Sequence, residues 1–354
     1  MTMELVATVA LQPGMEVAED ATDYKGNILV KKDTVLDKLI IQKLVVSPIQ
    51  CIQIKEPEDY VMTYFEKIRV SKAFQKFENL YYANFTAYKV AIDSFILKKV
   101  PPNNNDFLDI INNIFTPLEH SRTTILDMLA VLKVADSDLL YAHGLNVALI
   151  CRYTGKWFNL DEDELNTLVL CGFYYDIGKF KLPKEIISKP GRLTDEEIAV
   201  MRTHPVHSYN LIQNLSLDIN VKLAALMHHE RCDGKGYPQK LSADRINKFA
   251  KIISIIDAYD AMTSYRAYRD PMCPFKVVEI FEQDGLDRYD VAYYLTFLER
   301  IVEEYIGKEV MLNDGTECSI VLINKQNLSR PMVRAGDKYI DLSREKNLFI
   351  EKLI

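Results

Sequence analysis

The segment from His228 to Pro238 reads HHERCDGKGYP: two adjacent histidines, a carboxylate, an arginine, a DGxG turn and a tyrosine-proline pair. The chain holds six histidines, and four of them fall within the 26 residues from His204 to His229. Imidazole and carboxylate side chains together are the usual ligands of zinc, iron and manganese, so this clustering points to a metal site. Taken alone, the motif also fits a helix end with two incidental histidines and a turn made by Gly234 and Gly236. The flanking segments weigh against that reading. His143 lies in LLYAHGLNVALI, Asp176 in CGFYYDIGK, His204 opens HPVHSYNLI, and Asp257 sits in KIISIIDAYDAMTS. A lone carboxylate in so apolar a stretch is costly to bury, so Asp257 needs a charged partner, a metal or a helix edge.

These residues have apolar, helix-forming neighbours at roughly 3.6-residue spacing. Five helices would then each offer one or two ligands to a common interior point, as helical bundles do. The expected fold is mainly α, with a small α/β module before the bundle and a small β appendage after it. In the module, residues 1–56, MELVATVAL and GNILVKK read as strands around a turn at Tyr24-Lys25-Gly26-Asn27. VLDKLIIQKLVVS reads as a short amphipathic helix, and CIQIK as a closing strand. Residues 57–119 read as a helical connector. Its aromatic stripe of Phe77, Tyr81, Phe85 and Tyr88 suits core packing or the face of a homodimer. In 307–354, alternation around NDG and AGD predicts a small antiparallel β appendage.

The order and separation of seven segments resemble the HD-GYP domains, a branch of the HD phosphohydrolase superfamily. They are HGLNV at 143–147, YDIGK at 175–179, LP at 182–183, HP at 204–205, HHERCDGKGYP at 228–238, IIDAYDAMTS at 255–264 and RAYR at 266–269. The resemblance runs from near Ser121 to near Glu304 and implies an HD-type helical domain over residues 120–306. It also implies a bacterial metal-dependent phosphodiesterase that opens cyclic di-GMP to pGpG and GMP through a metal-bridging hydroxide. Carried over by position, Asp176 bridges two divalent ions, with iron or manganese favoured and zinc or nickel compatible with the ligands. His204, His228 and His229 complete one site with Asp176, and His143 and Asp257 complete the other. Asp176 and Lys179 become the catalytic pair, with Lys179 on the scissile phosphate. Tyr237 lines the substrate pocket, and Arg266 and Arg269 grip phosphates or guanine.

The departures carry as much weight. Tyr175 stands where the family's pair has histidine, and a phenol with a pKa of about 10 is a poor ligand for a divalent ion. The site of His143, Asp176 and Asp257 is left with three ligands, enough to hold a metal with water in the open position. Leu139 stands where trinuclear members place a glutamate, which implies two ions. Tyr175 also sustains a different class of function: a degenerate cyclic di-GMP receptor or protein-interaction scaffold.

Composition bounds the remainder. The chain has 354 residues, of which 48% are apolar and 26% charged, as in an ordinary globular protein. No apolar run predicts a membrane span, and the N-terminus lacks the pattern of a secretion signal. Six scattered cysteines suggest reduced thiols and a cytoplasmic setting. A net charge of −7 argues against a nucleic-acid polymer as partner. A dianionic nucleotide would need a local positive pocket, for which Lys179, Arg266 and Arg269 are the expected source. The N-terminal module is expected to be a docking surface for a protein partner or a structural cap.

Overall fold

The computed structural model describes residues 3–23, 26–47, 49–55, 63–189, 191–264 and 272–354. The chain separates into two compact units, Met1–Met62 and Thr63–Ile354. In the first, β1 (Met3–Ala7), β2 (Ala21–Thr22), β3 (Ile28–Val30), α1 (Lys38–Val45) and β4 (Cys51–Lys55) follow in order. β1 pairs antiparallel with β4, Met3 facing Lys55 and Ala7 facing Cys51, while β2 pairs with β3. Val17, Leu36, Leu44, Ile52 and Ile54 form the small core. α1 starts at Asp37, whose carboxylate accepts the Ile40 amide and so caps the helix. The expected strand through MELVATVAL ends at Ala7. Thr8 turns the chain into a short 3₁₀ segment, its amide bonded to the Gln50 carbonyl and its hydroxyl directed at those of Ile49 and Gln50. Tyr24 and Lys25 of the expected turn lie outside the described residues.

The second unit is mainly α. It runs through α2 (Tyr64–Arg69), α3 (Lys72–Lys98), α4 (Asn104–Phe115), α5 (Ile125–Val131), α6 (Leu139–Thr154) and α7 (Glu162–Tyr174). It continues with α8 (Lys184–Ile187), α9 (Asp195–Met201), α10 (His204–Ile212), α11 (Ile219–Met227), α12 (Lys248–Thr263), α13 (Pro274–Asp284) and α14 (Val291–Glu303). Thr63, Asp161 and Thr194 start α2, α7 and α9 with reciprocal capping boxes. α6 buries Leu145, Val147, Ala148, Leu149 and Ile150, so it is apolar nearly all round and sits at the centre of the bundle.

The aromatic stripe of α3 is spent inside the chain. Phe77, Tyr81, Phe85 and Tyr88 are all buried, and the Tyr88 ring lies 5.6 Å from Phe107 of α4 and 5.2 Å from Phe173 of α7. The stripe is therefore core rather than a face for a second copy, and α2 to α4 share one apolar core with the helices that follow. Between them, Asp127 of α5 is buried and accepts the hydroxyls of Tyr64 (2.7 Å) and Tyr305 (2.9 Å). Burial pushes its pKa up, and the two phenols partly offset that shift.

The chain closes with β5 (Glu309–Leu312), β6 (Glu317–Leu322), β7 (Met332–Ala335), β8 (Lys338–Asp341) and β9 (Ile350–Leu353). They form an antiparallel sheet in the order β8-β7-β6-β5-β9. Its Val310, Leu312, Ile320 and Val333 join the same core. Among the described residues no helix is long and apolar enough to cross a membrane.

Candidate metal centre

Five helices bring the predicted ligands together. His143 lies in the second turn of α6, Tyr175 and Asp176 directly follow α7, and His204 opens α10. His228 and His229 directly follow α11, and Asp257 belongs to α12. The ligand atoms of His204, His228 and His229 lie within 4.8 Å of one another, as do those of His143, Asp176 and Asp257. Asp176 stands between the two groups. Its Oδ1 is 3.1 Å from His204 Nε2 and 3.7 Å from His228 Nε2, and its Oδ2 is 3.6 Å from His143 Nε2.

Two glycines allow this convergence. A Cβ on Gly178 would lie 2.1 Å from the His204 carbonyl oxygen and 2.4 Å from the Ser208 amide, so only glycine lets the segment after Asp176 press against α10. A Cβ on Gly236 would lie 2.4 Å from the Arg231 amide, which ties the 230–241 loop to the histidines. Buried Glu230 holds that loop by accepting the amides of Gln239 (2.6 Å) and Leu241 (2.9 Å). Tyr237 is thereby stacked on His229, with centroids 4.7 Å apart and planes 27° apart. The Arg202 guanidinium lies 5.4 Å from the centre of the Tyr237 ring.

The first group has the electronic signature of a cation site. His204 Nδ1 faces the Met201 carbonyl at 2.7 Å, and His228 Nδ1 faces the Ala225 carbonyl at 3.0 Å. A carbonyl can only accept, so both rings carry a proton on Nδ1 and turn Nε2 toward the centre. Those two Nε2 atoms are 3.0 Å apart. Asp176 Oδ1, also an acceptor, is buried beside them with no hydrogen bond. Two ring nitrogens and a carboxylate oxygen thus converge on one point, and with the rings neutral a divalent ion is what this donor set fits. Burial, reinforced by His204, lowers the His228 pKa to about 4, and burial also holds His229 well below its ordinary value. Both stay neutral at pH 7, which is the ligating form.

The second group satisfies itself with protons instead. His143 Nε2 is 2.9 Å from Asp257 Oδ1 and 2.6 Å from the Tyr175 hydroxyl, which donates to the same Asp257 oxygen at 2.8 Å. Nδ1 of His143 faces Asp260 Oδ2 at 2.6 Å. Burial works against charge on His143, but the hydrogen bonds to Asp257 and Asp260 win and raise its pKa to about 9. Burial, then the charges of Asp257 and Asp176, hold the Tyr175 phenol well above its usual range, so it stays protonated. Lys179 Nζ donates to Asp176 Oδ2. Burial opposes ionisation of Asp176, yet Lys179 and His204 keep its pKa well below the usual carboxylate range.

The two histidine shifts have opposite signs and give the metal-free protein a stability optimum. His228 falls from 6.5 to about 4 on folding, so the unfolded chain takes up its proton first and stability drops as pH falls from 6.5 toward 4. His143 rises from 6.5 to about 9, so its contribution is complete below 6.5 and is lost as pH climbs to 9. Urea denaturation of the chelated protein from pH 4 to 9 is expected to peak near pH 6.5. A flat profile across that range would contradict this arrangement of protons.

Asp260 was not expected from the sequence, although it follows Asp257 by three residues and so shares its helix face. Arg266 and Arg269 lie outside the described residues. Arg231 pairs with Asp233 at 2.6 Å, and Lys235 is exposed.

Residues 125–293 match the family model described as HD domain. The HHERCDGKGYP run within that stretch, beside the clustered histidines and aspartates, is similar to the HD-GYP branch of the HD domain family. It is 27% identical over 231 residues to a cyclic di-GMP phosphodiesterase of Pseudomonas aeruginosa, covering 64% of this chain and 54% of that protein. It is 34% identical over 150 residues to a 3'3'-cGAMP-specific phosphodiesterase of Vibrio cholerae, covering 42% of this chain and 35% of the relative. A cyclic di-GMP phosphodiesterase response regulator of Xanthomonas campestris is 38% identical over 114 residues, 31% of this chain and 30% of its own length. The chain therefore spans about half or less of each of these relatives.

Proposed function

We propose that the chain is a metal-dependent phosphodiesterase that hydrolyses cyclic di-GMP to pGpG and GMP. The observation that carries this reading is Asp176, whose two oxygens face two groups of ring nitrogens and carboxylates, one of them with the Nε2 atoms of His204 and His228 converging beside it. In this reading Asp176, His204, His228 and His229 hold one divalent ion, iron or manganese by preference. Asp176, His143 and Asp257 hold a second, with Tyr175 at the position of the missing ligand. When bound, such ions lower the pKa of coordinated water and offset charge on the phosphoryl oxygens. The chain's own residues supply the rest. Lys179 releases Asp176 Oδ2 and turns its ammonium to the scissile phosphate, where charge builds in the transition state. Tyr237, fixed against His229, gives a flat surface for a guanine ring. Arg266 and Arg269 are assigned to the phosphates or guanine, and a cytoplasmic setting suits the nucleotide.

The test is anaerobic loading with Fe(II) or Mn(II), followed by elemental analysis and a product assay on the same sample. Metal-dependent appearance of pGpG from cyclic di-GMP is expected, and the hybrid 3'3'-cGAMP is run beside it. Binding of the nucleotide without turnover, in both the wild type and Tyr175→His, would replace this reading with that of a degenerate receptor, which Tyr175 alone favours.

A further inference from the structure

Asp260 is held from behind by a buried chain of hydrogen bonds. Its Oδ2 faces His143 Nδ1 at 2.6 Å, and its Oδ1 accepts the Ser264 hydroxyl at 2.7 Å. Ser264 Oγ accepts from Asn146 Nδ2 at 3.4 Å, and Asn146 Oδ1 accepts from the Tyr81 hydroxyl at 2.9 Å. Tyr81, Asn146, Ser264 and Asp260 are each at most 7% exposed. The bonds run in one sense, each donor pointing toward the carboxylate, so each link polarises the next in a low-dielectric interior. The chain also ties three helices together. Tyr81 comes from α3, Asn146 lies one turn beyond His143 on α6, and Ser264 directly follows α12, which carries Asp257 and Asp260.

We propose that Tyr81, Asn146 and Ser264 are positioning residues for His143, so that the seat of α3 sets how firmly the second ion is held. This rests on the metal-centre reading above. The physical route is short. A carboxylate behind a ligating histidine fixes the ring's tautomer and its rotation, and loss of such an outer partner commonly costs about ten- to a hundredfold in metal affinity. Asp260 can do this only if its other oxygen is pinned, and Ser264 pins it. Ser264 would be free to turn without Asn146, whose amide is oriented by Tyr81. α3 precedes the stretch that matches the HD domain, so the chain of bonds carries its position into that domain's ligand set.

The experiment uses the full chain with Ser264→Ala, Ser264→Thr, Tyr81→Phe and, as control, Tyr64→Phe. The control removes a comparable buried hydroxyl from Asp127, which is not part of the ligand set. Three quantities are measured: Mn(II) binding by titration, the 1H–15N signal of the His143 Nδ1 proton in metal-free protein, and thermal stability. Ser264→Ala is expected to weaken the second ion about tenfold and Tyr81→Phe several-fold, with the first ion unchanged. Both should move the His143 signal, Ser264→Thr should restore it, and Tyr64→Phe should lose stability with both readouts unmoved. Unchanged His143 signal and unchanged second-ion affinity in both Ser264→Ala and Tyr81→Phe would overturn the proposal. If the wild type takes up no second ion, the metal-centre reading fails, and the His143 signal alone still decides the hydrogen-bond chain. If Ser264→Ala does not fold, Tyr81→Phe decides, since it removes one oxygen from a ring that otherwise keeps its packing.

Discussion

Replacing Asp176 with alanine is expected to lower metal content at both ligand groups at once. The remaining ligands are His204, His228 and His229 on one side, and only His143 and Asp257 on the other. The loss should be steeper at the second group, where two ligands cannot hold a divalent ion against water. Turnover should fall by about a thousandfold or more, because bound metal contributes several kcal/mol of charge stabilisation in such reactions. Elemental analysis separates this from simple unfolding when circular dichroism is recorded on the same sample. Metal content equal to that of the wild type in a folded Asp176→Ala protein would show that this carboxylate is not the shared ligand.

Tyr175→His should act in the opposite direction. The phenol oxygen sits 2.6 Å from His143 Nε2 and 2.8 Å from Asp257 Oδ1, so the shorter imidazole would set its nitrogen back from that point, pointing at the same two groups with room for an ion between. Tyr175 is fully buried, and its proton is held by burial and by the carboxylates of Asp257 and Asp176, whereas a neutral imidazole has a lone pair to give. Restoring the fourth ligand should raise affinity for the second ion by at least about tenfold, since even outer-shell partners are worth that much. Turnover should rise with it. The useful readout besides rate is Mn(II) spin coupling, which appears only when two ions share a bridge. A histidine variant that binds no more metal than the wild type would mean that Tyr175 is not what limits the second site.

That these histidines and aspartates share one candidate site was readable because their chemistry is local: HH, HP, a YD pair after an apolar helix, and an aspartate in an apolar run each announce themselves. What stayed hidden depends on crossings between distant segments. Asp260 could have been found, because DAYD places two carboxylates on one face of α12, but nothing local says that the second one faces His143. Asn146 and Ser264 are 118 residues apart and look like ordinary polar residues in their own segments. Glu230 sits inside the best motif of the chain, yet its work is to accept amides nine and eleven residues later. The α3 stripe was correctly aromatic, but periodicity could not tell which surface it would cover; α4 and α7 cover it. Tyr175 was conspicuous as a departure, whereas its hydrogen bonds to His143 and Asp257 required coordinates.

The clasp around Asp127 bears on where this protein can be cut. Its two phenol partners come from Tyr64 and Tyr305, one on each side of the 125–293 stretch that matches the HD domain. A fragment trimmed to those borders keeps the acid and discards both hydroxyls. Leaving a buried acceptor without its hydrogen-bond donors commonly costs about 1–3 kcal/mol, an appreciable part of a domain's whole margin. A fragment that folds on its own is therefore expected to need both flanks of the matched stretch, Tyr64 on one side and Tyr305 on the other.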